Sequence, residues 1–359
     1  MADLAAILGA DRVADEAGTP VVTPRDADEV GELLRAATRD GLALAVRGGG
    51  TKSAPGPCDA ILSTAALTGV VDRQPGDMTL VARAGSRLAD LQAEVIGDPT
   101  HRQRLMLDGV GGPAATLGGI VSTNAAGPRR HAFGTPRDIV IGVRFATGDG
   151  VAARSGGTVV KNVAGYDVGK LLIGARGSLA VITEVAVKTH PVPETSRTVA
   201  LRTTDAAEAA AFVARVRTAP VTPTAVEVRW PEGVVAVRIG STEAGAAAQV
   251  ELLRAIAPLE EIDGDAFLDE QLALPFASGD PVLGVGVRPS DLAALLTLVT
   301  DHGAAFVGRA AIVAGDVIAA DPEPIATAVR ALAGTRRDPG VARLEAAVKH
   351  ALDPAGVLA

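Results

Sequence analysis

Apolar and polar positions in the first half of the chain fall into short strand-like runs, broken by a few helical stripes. In "VVTPRDADEVGELLRAATRDG", Val30, Leu33 and Leu34 recur at helical spacing. Thr23 reads as the N-cap there, Pro24 as the first helical residue, Asp26 as the third position of a capping box, and Gly41 as the stop. The aliphatic run at 42–46 then predicts a buried strand, which makes a β-α-β opening. "DAILSTAAL", "GVVDR" and "TLVARAG" read as short strands, the last two joined by the turn "QPGD". Leu88, Leu91 and Val95 lie on one face of a further helix. "IVIGVRFATGDG" and "AVITEVAVKTH" are strands, and the prolines of "PVPETS" (191–196) mark a boundary.

Beyond that boundary the pattern becomes β-α-β-β-α. "TVALRTT", "DAAEAAAFVARVRT", "AVEVRW", "GVVAVRIG" and "TEAGAAAQVELLRAIA" set this order, and 282–333 repeats much of it. Two such runs predict an antiparallel sheet covered on one face by helices. The expected fold class is α+β, with one domain at 1–192, a second at 193–359, and a final helix folding back over the body.

Composition narrows the picture. The 359 residues suffice for two ordinary cores, and 48% apolar with 21% charged residues is globular. With aromatics at 2%, those cores must be built from Ala, Val, Leu and Ile. A net charge of −8 argues against a nucleic-acid surface. The single cysteine, Cys58, rules out an intrachain disulfide or an iron–sulfur cluster on this chain alone. His101, His131, His190, His302 and His350 include no pair at metal-ligand spacing, so no metal site is expected. No run reaches the ~18 apolar residues of a membrane span, and the N-terminus lacks a basic leader, which predicts a cytoplasmic protein.

The candidate chemistry lies in glycine loops. Strand 42–46 runs into Arg47, Gly48, Gly49, Gly50, Thr51, Lys52 and Ser53. Glycine is costly to order, so a run of three needs a reason, and backbone N–H groups closing on an anion is one. A nucleoside-triphosphate P-loop fails twice: Thr51 stands where glycine must precede Lys52, and Arg47 stands where the first glycine belongs. A Rossmann fingerprint can be forced onto 109–114, but Pro113 interrupts it and no clean strand precedes it. A plain hairpin or linker stays open. Two further loops share the character: "ATLGGIVSTNAAG" (115–127) and "GARGSLAVIT" (174–183). Three backbone-exposing loops in one domain suit a long ligand with a diphosphate middle.

"RGGGTK", "ATLGGIVSTNAAG" and "GSLAVITEV", in that order, resemble the FAD-binding domain of vanillyl-alcohol oxidase-like (PCMH-type) flavoproteins over roughly 15–192. "GPRRHAFGTPRDIVIGVRFATGDG" followed by "GGTVVKNVAGYDVGKLLIG" is similar, more narrowly, to the smaller FAD-binding subunit of bacterial glycolate oxidase. The closing "LDPAGVLA" is similar to the end of these oxidases, without the Asn-Pro-Gly that usually follows. The resemblance implies a two-subdomain FAD-binding domain, then a ferredoxin-like C-terminal domain on the substrate side. It implies that Arg47 to Ser53 wrap the FAD pyrophosphate. Thr116, Gly118, Gly119, Ser122, Thr123, Asn124 and Gly127 would line the ribityl and isoalloxazine side. Gly177 and Ile182 would border the adenosine or diphosphate. Relatives that tether the flavin use a His in the first loop or a Cys in the second. Thr51 and a cysteine-free 109–127 imply dissociable FAD.

FAD brings hydride chemistry, and oxidising a 2-hydroxy acid also needs a base and a cation. Metal-using relatives carry a His pair in the C-terminal domain, whereas here only His302 and His350 fall there, and both read as helix C-terminal residues. Arg129, with Arg130 and His131, is either a solvated basic turn or a cation near the flavin or a partner. Lys161 lies in a loop between strands. Tyr166 in the same loop either faces the cavity or, with the greater weight, is a buried, hydrogen-bonded structural residue; Trp230 reads as core. The leading expectation is an FAD-binding subunit of a glycolate-oxidase-type complex, partnered by a larger flavin subunit and an iron–sulfur subunit, with glycolate or D-lactate as electron source. The alternatives are a stand-alone FAD-dependent alcohol or hydroxy-acid oxidoreductase and a non-catalytic flavin-binding assembly subunit.

Overall fold

A computed structural model describes residues 7–52, 56–158, 166–333 and 347–359. Two compact units divide the chain. The first takes in the described residues of Met1–Ala125, Thr135–Pro191 and Arg337–Ala359, the second those of Ala126–Gly134 and Val192–Arg336.

In the first unit, strands β1 (Val13–Glu16), β2 (Thr19–Val22), β3 (Leu44–Arg47) and β4 (Ala60–Ser63) form a sheet in the order β1-β2-β4-β3. β4 runs parallel to both β2 and β3, and β1 closes a hairpin with β2. The helix Ala27–Asp40 connects β2 to β3, and buries Val30, Leu33, Leu34 and Ala37 against Val22, Leu44 and Leu62. Its start differs from the expected one. Asp26, not Thr23, is the N-cap, accepting from the Glu29 N–H at 2.9 Å, so Pro24 lies outside the helix. A carboxylate three residues further on satisfies an otherwise orphaned amide at least as well as the threonine would. Gly41 ends the helix in the left-handed conformation (φ 67°), which favours glycine.

A second sheet has the order β5-β6-β10-β8-β9, antiparallel throughout: β5 (Val70–Gln74), β6 (Thr79–Arg83), β8 (Val140–Thr147), β9 (Ala152–Gly156) and the twelve-residue β10 (Ala180–Pro191). The short β7 (Gln103–Leu105) pairs with the far end of β10. The helix Leu88–Ile96 buries Leu88, Leu91 and Val95 as its periodicity predicts. The segment read as a pure glycine loop instead contains the short helix Leu117–Thr123. Its glycine at 118 is there for contact: a Cβ would lie 2.7 Å from that of Ala84.

The second unit holds one seven-stranded antiparallel sheet, β14-β11-β13-β12-β16-β17-β15. Its strands are β11 (Thr195–Arg202), β12 (Pro223–Trp230), β13 (Val234–Ser241), β14 (Glu260–Ile262), β15 (Val282–Gly286), β16 (Ala305–Arg309) and β17 (Ala314–Ile318). On one face Val226, Val228, Trp230, Val237 and Phe306 pack against Phe212, Val250, Leu295 and Ile325, which come from four helices. Trp230 is buried as expected, and its indole N–H donates to Thr300 Oγ1 at 2.8 Å. The other face is not bare. The unforeseen helix Gly264–Ala277 sets Phe267 and Leu268 on Ala200, Ala225, Val234 and Ala236. The α+β class holds, with helices on both faces of this sheet rather than one.

Candidate cofactor site

The glycine run follows β3 directly, and each glycine has its own reason. A Cβ on Gly48 would stand 2.4 Å from Thr116 Oγ1, and one on Gly49 only 1.8 Å from the carbonyl oxygen of Ala114. Gly50 sits at φ 66° with no backbone near its missing Cβ. Two of the three thus permit the first loop to pack on residues 114–116, and the third permits the turn. Arg47 is held in place by Glu16, which accepts from both ends of the guanidinium at 2.6 and 2.7 Å. That bond holds the Glu16 carboxyl below the usual carboxylate range.

The third loop is bonded to the second. The Gly174 N–H donates to the Val121 carbonyl at 3.2 Å, and the Arg176 N–H to that of Ser122 at 2.7 Å. Gly177, at φ 83°, lies so close to β3 that a Cβ would come within 2.9 Å of Val46 Cβ. Thr116 caps the Leu117–Thr123 helix by accepting from Gly119 N–H, while Thr123 Oγ1 donates to the Gly119 carbonyl at 2.7 Å. The second and third loops are thus hydrogen-bonded to each other, and the first is packed on the second.

Two cavities share Gly48–Gly50 and Thr116 in their linings. The larger, about 590 Å³, carries Glu16, Asp90 and Glu94 beside Arg47 and Arg87. The smaller cleft, about 250 Å³, is lined by Thr51, Lys52, Gly119, Ser122, Thr123 and Arg176, with no Asp or Glu among the described residues. An anionic diphosphate favours the second, because each carboxylate in the first would repel it. Burial pushes the Lys52 ammonium down to about 8, the signature of a cation held in a poorly solvated place with no counter-charge among the described residues. Backbone amides at a turn, two cations and four hydroxyls are a donor set that fits the diphosphate of FAD.

The structure brings Gly48, Gly49, Gly50, Thr51, Lys52, Thr116, Gly119, Ser122 and Thr123 to this cleft. Arg47 also lines it, with its guanidinium committed to Glu16. Gly118, Gly177 and Ile182 line a small crevice beneath the same loops. Asn124 is a staple in the left-handed conformation, its Oδ1 accepting from the Arg137 N–H at 3.3 Å. Gly127 and Arg129 fall in the second unit. Ser53 and Lys161 lie outside the described residues. Tyr166 is 95% exposed, which overturns the expected buried tyrosine. Arg176 was missed, although a cation beside the glycine of "GARGS" was a visible signal. His302 caps the helix Leu292–Asp301 as expected, its ring against the Leu298 carbonyl. Among the described residues no three His, Cys, Asp or Glu side chains stand together as a metal site, and no helix is long and apolar enough to cross a membrane.

Residues 19–169, the stretch that carries the first two loops, match the model of the FAD_binding_4 family, the FAD binding domain. Over 135 residues the chain is 40% identical to glycolate oxidase subunit GlcE of Escherichia coli strain K12, covering 36% of each protein. Over 186 residues it is 28% identical to glycolate oxidase subunit GlcD of Bacillus subtilis strain 168, covering 50% of this chain and 38% of that one. These matches span little more than a third of the relatives' length. The fold is also that of a solved alkyldihydroxyacetonephosphate synthase, with a TM-score of 0.79 at 15% identity over 99% of this chain and 83% of the other.

Proposed function

We propose that this chain is the FAD-binding subunit of a glycolate-oxidase-type 2-hydroxy-acid dehydrogenase, holding FAD without a covalent bond and passing electrons toward an acceptor. The observation that carries the reading is the carboxylate-free cleft at Gly48–Lys52, inside a stretch that matches an FAD binding domain. The similarity to two glycolate oxidase subunits supports the class of substrate and membership of a complex. The partners of this reading are a larger flavin-type subunit and an iron–sulfur subunit.

FAD supplies the electron-accepting chemistry when bound. The chain's own contribution is grip and orientation. Amides of Gly48 to Thr51 and the cations Lys52 and Arg176 would hold the diphosphate, and Thr116, Ser122 and Thr123 would offer hydroxyls beside it. The Gly48–Thr116 and Gly49–Ala114 contacts fix the loop before the cofactor arrives, so little ordering cost remains at binding.

Anaerobic addition of glycolate or D-lactate to the FAD-loaded chain tests the reading. The chain alone is expected to keep its oxidised visible spectrum, and to bleach once the larger flavin subunit is added. Bleaching of the isolated chain at catalytic rates would favour a stand-alone oxidoreductase instead.

A further inference from the structure

The closing residues bind the first unit through a partly buried clamp that touches the 174–183 loop and the strand leading into the first loop. Lys349, on helical residues 347–352, gives its three ammonium hydrogens to three acceptors: Ser178 O at 2.6 Å, Asp353 Oδ2 at 2.6 Å and Leu358 O at 2.5 Å. Asp353, with its side chain fully buried, accepts from the Val357 and Leu358 N–H groups, both at 2.9 Å. The turn thus made lays Leu358 alongside Leu44. Leu44 N–H donates to Val357 O at 2.6 Å, and Ala359 N–H donates to Leu44 O at 2.9 Å. Gly148 lies against the carboxylate so closely that a Cβ there would stand 2.1 Å from Asp353 Oδ1.

Three members of this network lead to the cleft: Leu44, Ser178 and Ala359. Leu44 begins β3, whose last residue, Arg47, precedes Gly48. Ser178 follows Gly177 in the loop that carries Arg176, and Ala359 itself lines the cleft. The Asp353 carboxylate is fully buried while Lys349 is about a third exposed, so displacing the lysine leaves a buried carboxylate short of its partner, which fixes the geometry of the turn.

We infer that Lys349 and Asp353 are positioning residues of the FAD site, tying β3 and the 174–178 loop into one frame so that cofactor and closing segment stabilise each other. The inference rests on the FAD reading of the cleft. Coupling is reciprocal, and the usual range for such coupling corresponds to about 5- to 150-fold in affinity. Lys349→Met and Asp353→Asn are therefore expected to raise the FAD Kd at least about five-fold at a temperature where both remain folded by circular dichroism. In the unaltered chain, hydrogen exchange of the 355–359 amides is expected to slow by a similar factor on adding FAD. Variants with a lower Tm but an unchanged Kd would overturn the inference. So would unchanged exchange in the wild type, a readout that decides the matter even if both variants fail to fold. If the wild type takes up no FAD at all, the reading of the cleft fails first, and the two failures are thereby told apart.

Discussion

At the scale of single residues, Lys52 is the most informative. It is a cation lowered to about 8 by burial, and a bound diphosphate would raise it again. Below pH 8 the lysine is already protonated, so FAD affinity is expected to be flat there. Above pH 8 binding must take up a proton, and affinity is expected to fall as pH rises. Lys52→Met is expected to weaken FAD about ten- to a hundred-fold, the equivalent of a hydrogen bond to a charged group, and to abolish the alkaline dependence. Titrating flavin fluorescence across pH for both proteins checks the two effects; a pH-dependent Met variant would show that another group titrates. The glycines separate in the same way. Gly50→Ala meets only an unfavourable φ, costing about 1–2 kcal/mol, whereas Gly49→Ala drives a methyl into a carbonyl oxygen and is expected to cost more. Thermal melts that reversed this order would contradict the geometry.

At the scale of elements, legibility followed the source of each element's stability. The Ala27–Asp40 and Leu88–Ile96 helices bury an aliphatic stripe, which sequence periodicity displays. The Leu117–Thr123 helix was hidden because its glycines lower helix propensity, Gly118 being retained for close packing on Ala84. The Gly264–Ala277 helix was hidden for a different reason. Its buried side includes Gln271, which donates to Glu227 and to the Val228 carbonyl and accepts from Arg229. A polar residue satisfied only by distant strands gives no local hydrophobic signal. Caps make the sharpest test here. Asp26→Ala is expected to destabilise by about 1 kcal/mol, and Thr23→Ala by less than about 0.5 kcal/mol. Equal costs in urea denaturation would restore the earlier helix start.

At the scale of the whole molecule, the three loops of the cleft were legible because each spends glycines where side chains are excluded. Their mutual bonding was not, since Arg176–Ser122 and Gly177–Val46 are long-range pairs that no local pattern encodes. Nor was the placement of Ala126–Gly134 with the second unit, where Arg309 on β16 donates to the Ala126 carbonyl at 2.9 Å. The second unit's stability depends on its aliphatic core around Phe306, which is fully buried on β16 beside the central strand β12. Phe306→Ala is expected to cost about 3–5 kcal/mol, read as a lower midpoint in denaturant.

The most direct measurement is a visible spectrum of the chain reconstituted with excess FAD and desalted, followed by acid precipitation. A flavin spectrum that persists through desalting and passes wholly into the acid supernatant is the expected result, since the cleft grips the diphosphate by amides and cations alone. A colourless protein, or yellow colour that stays in the precipitate, would contradict it.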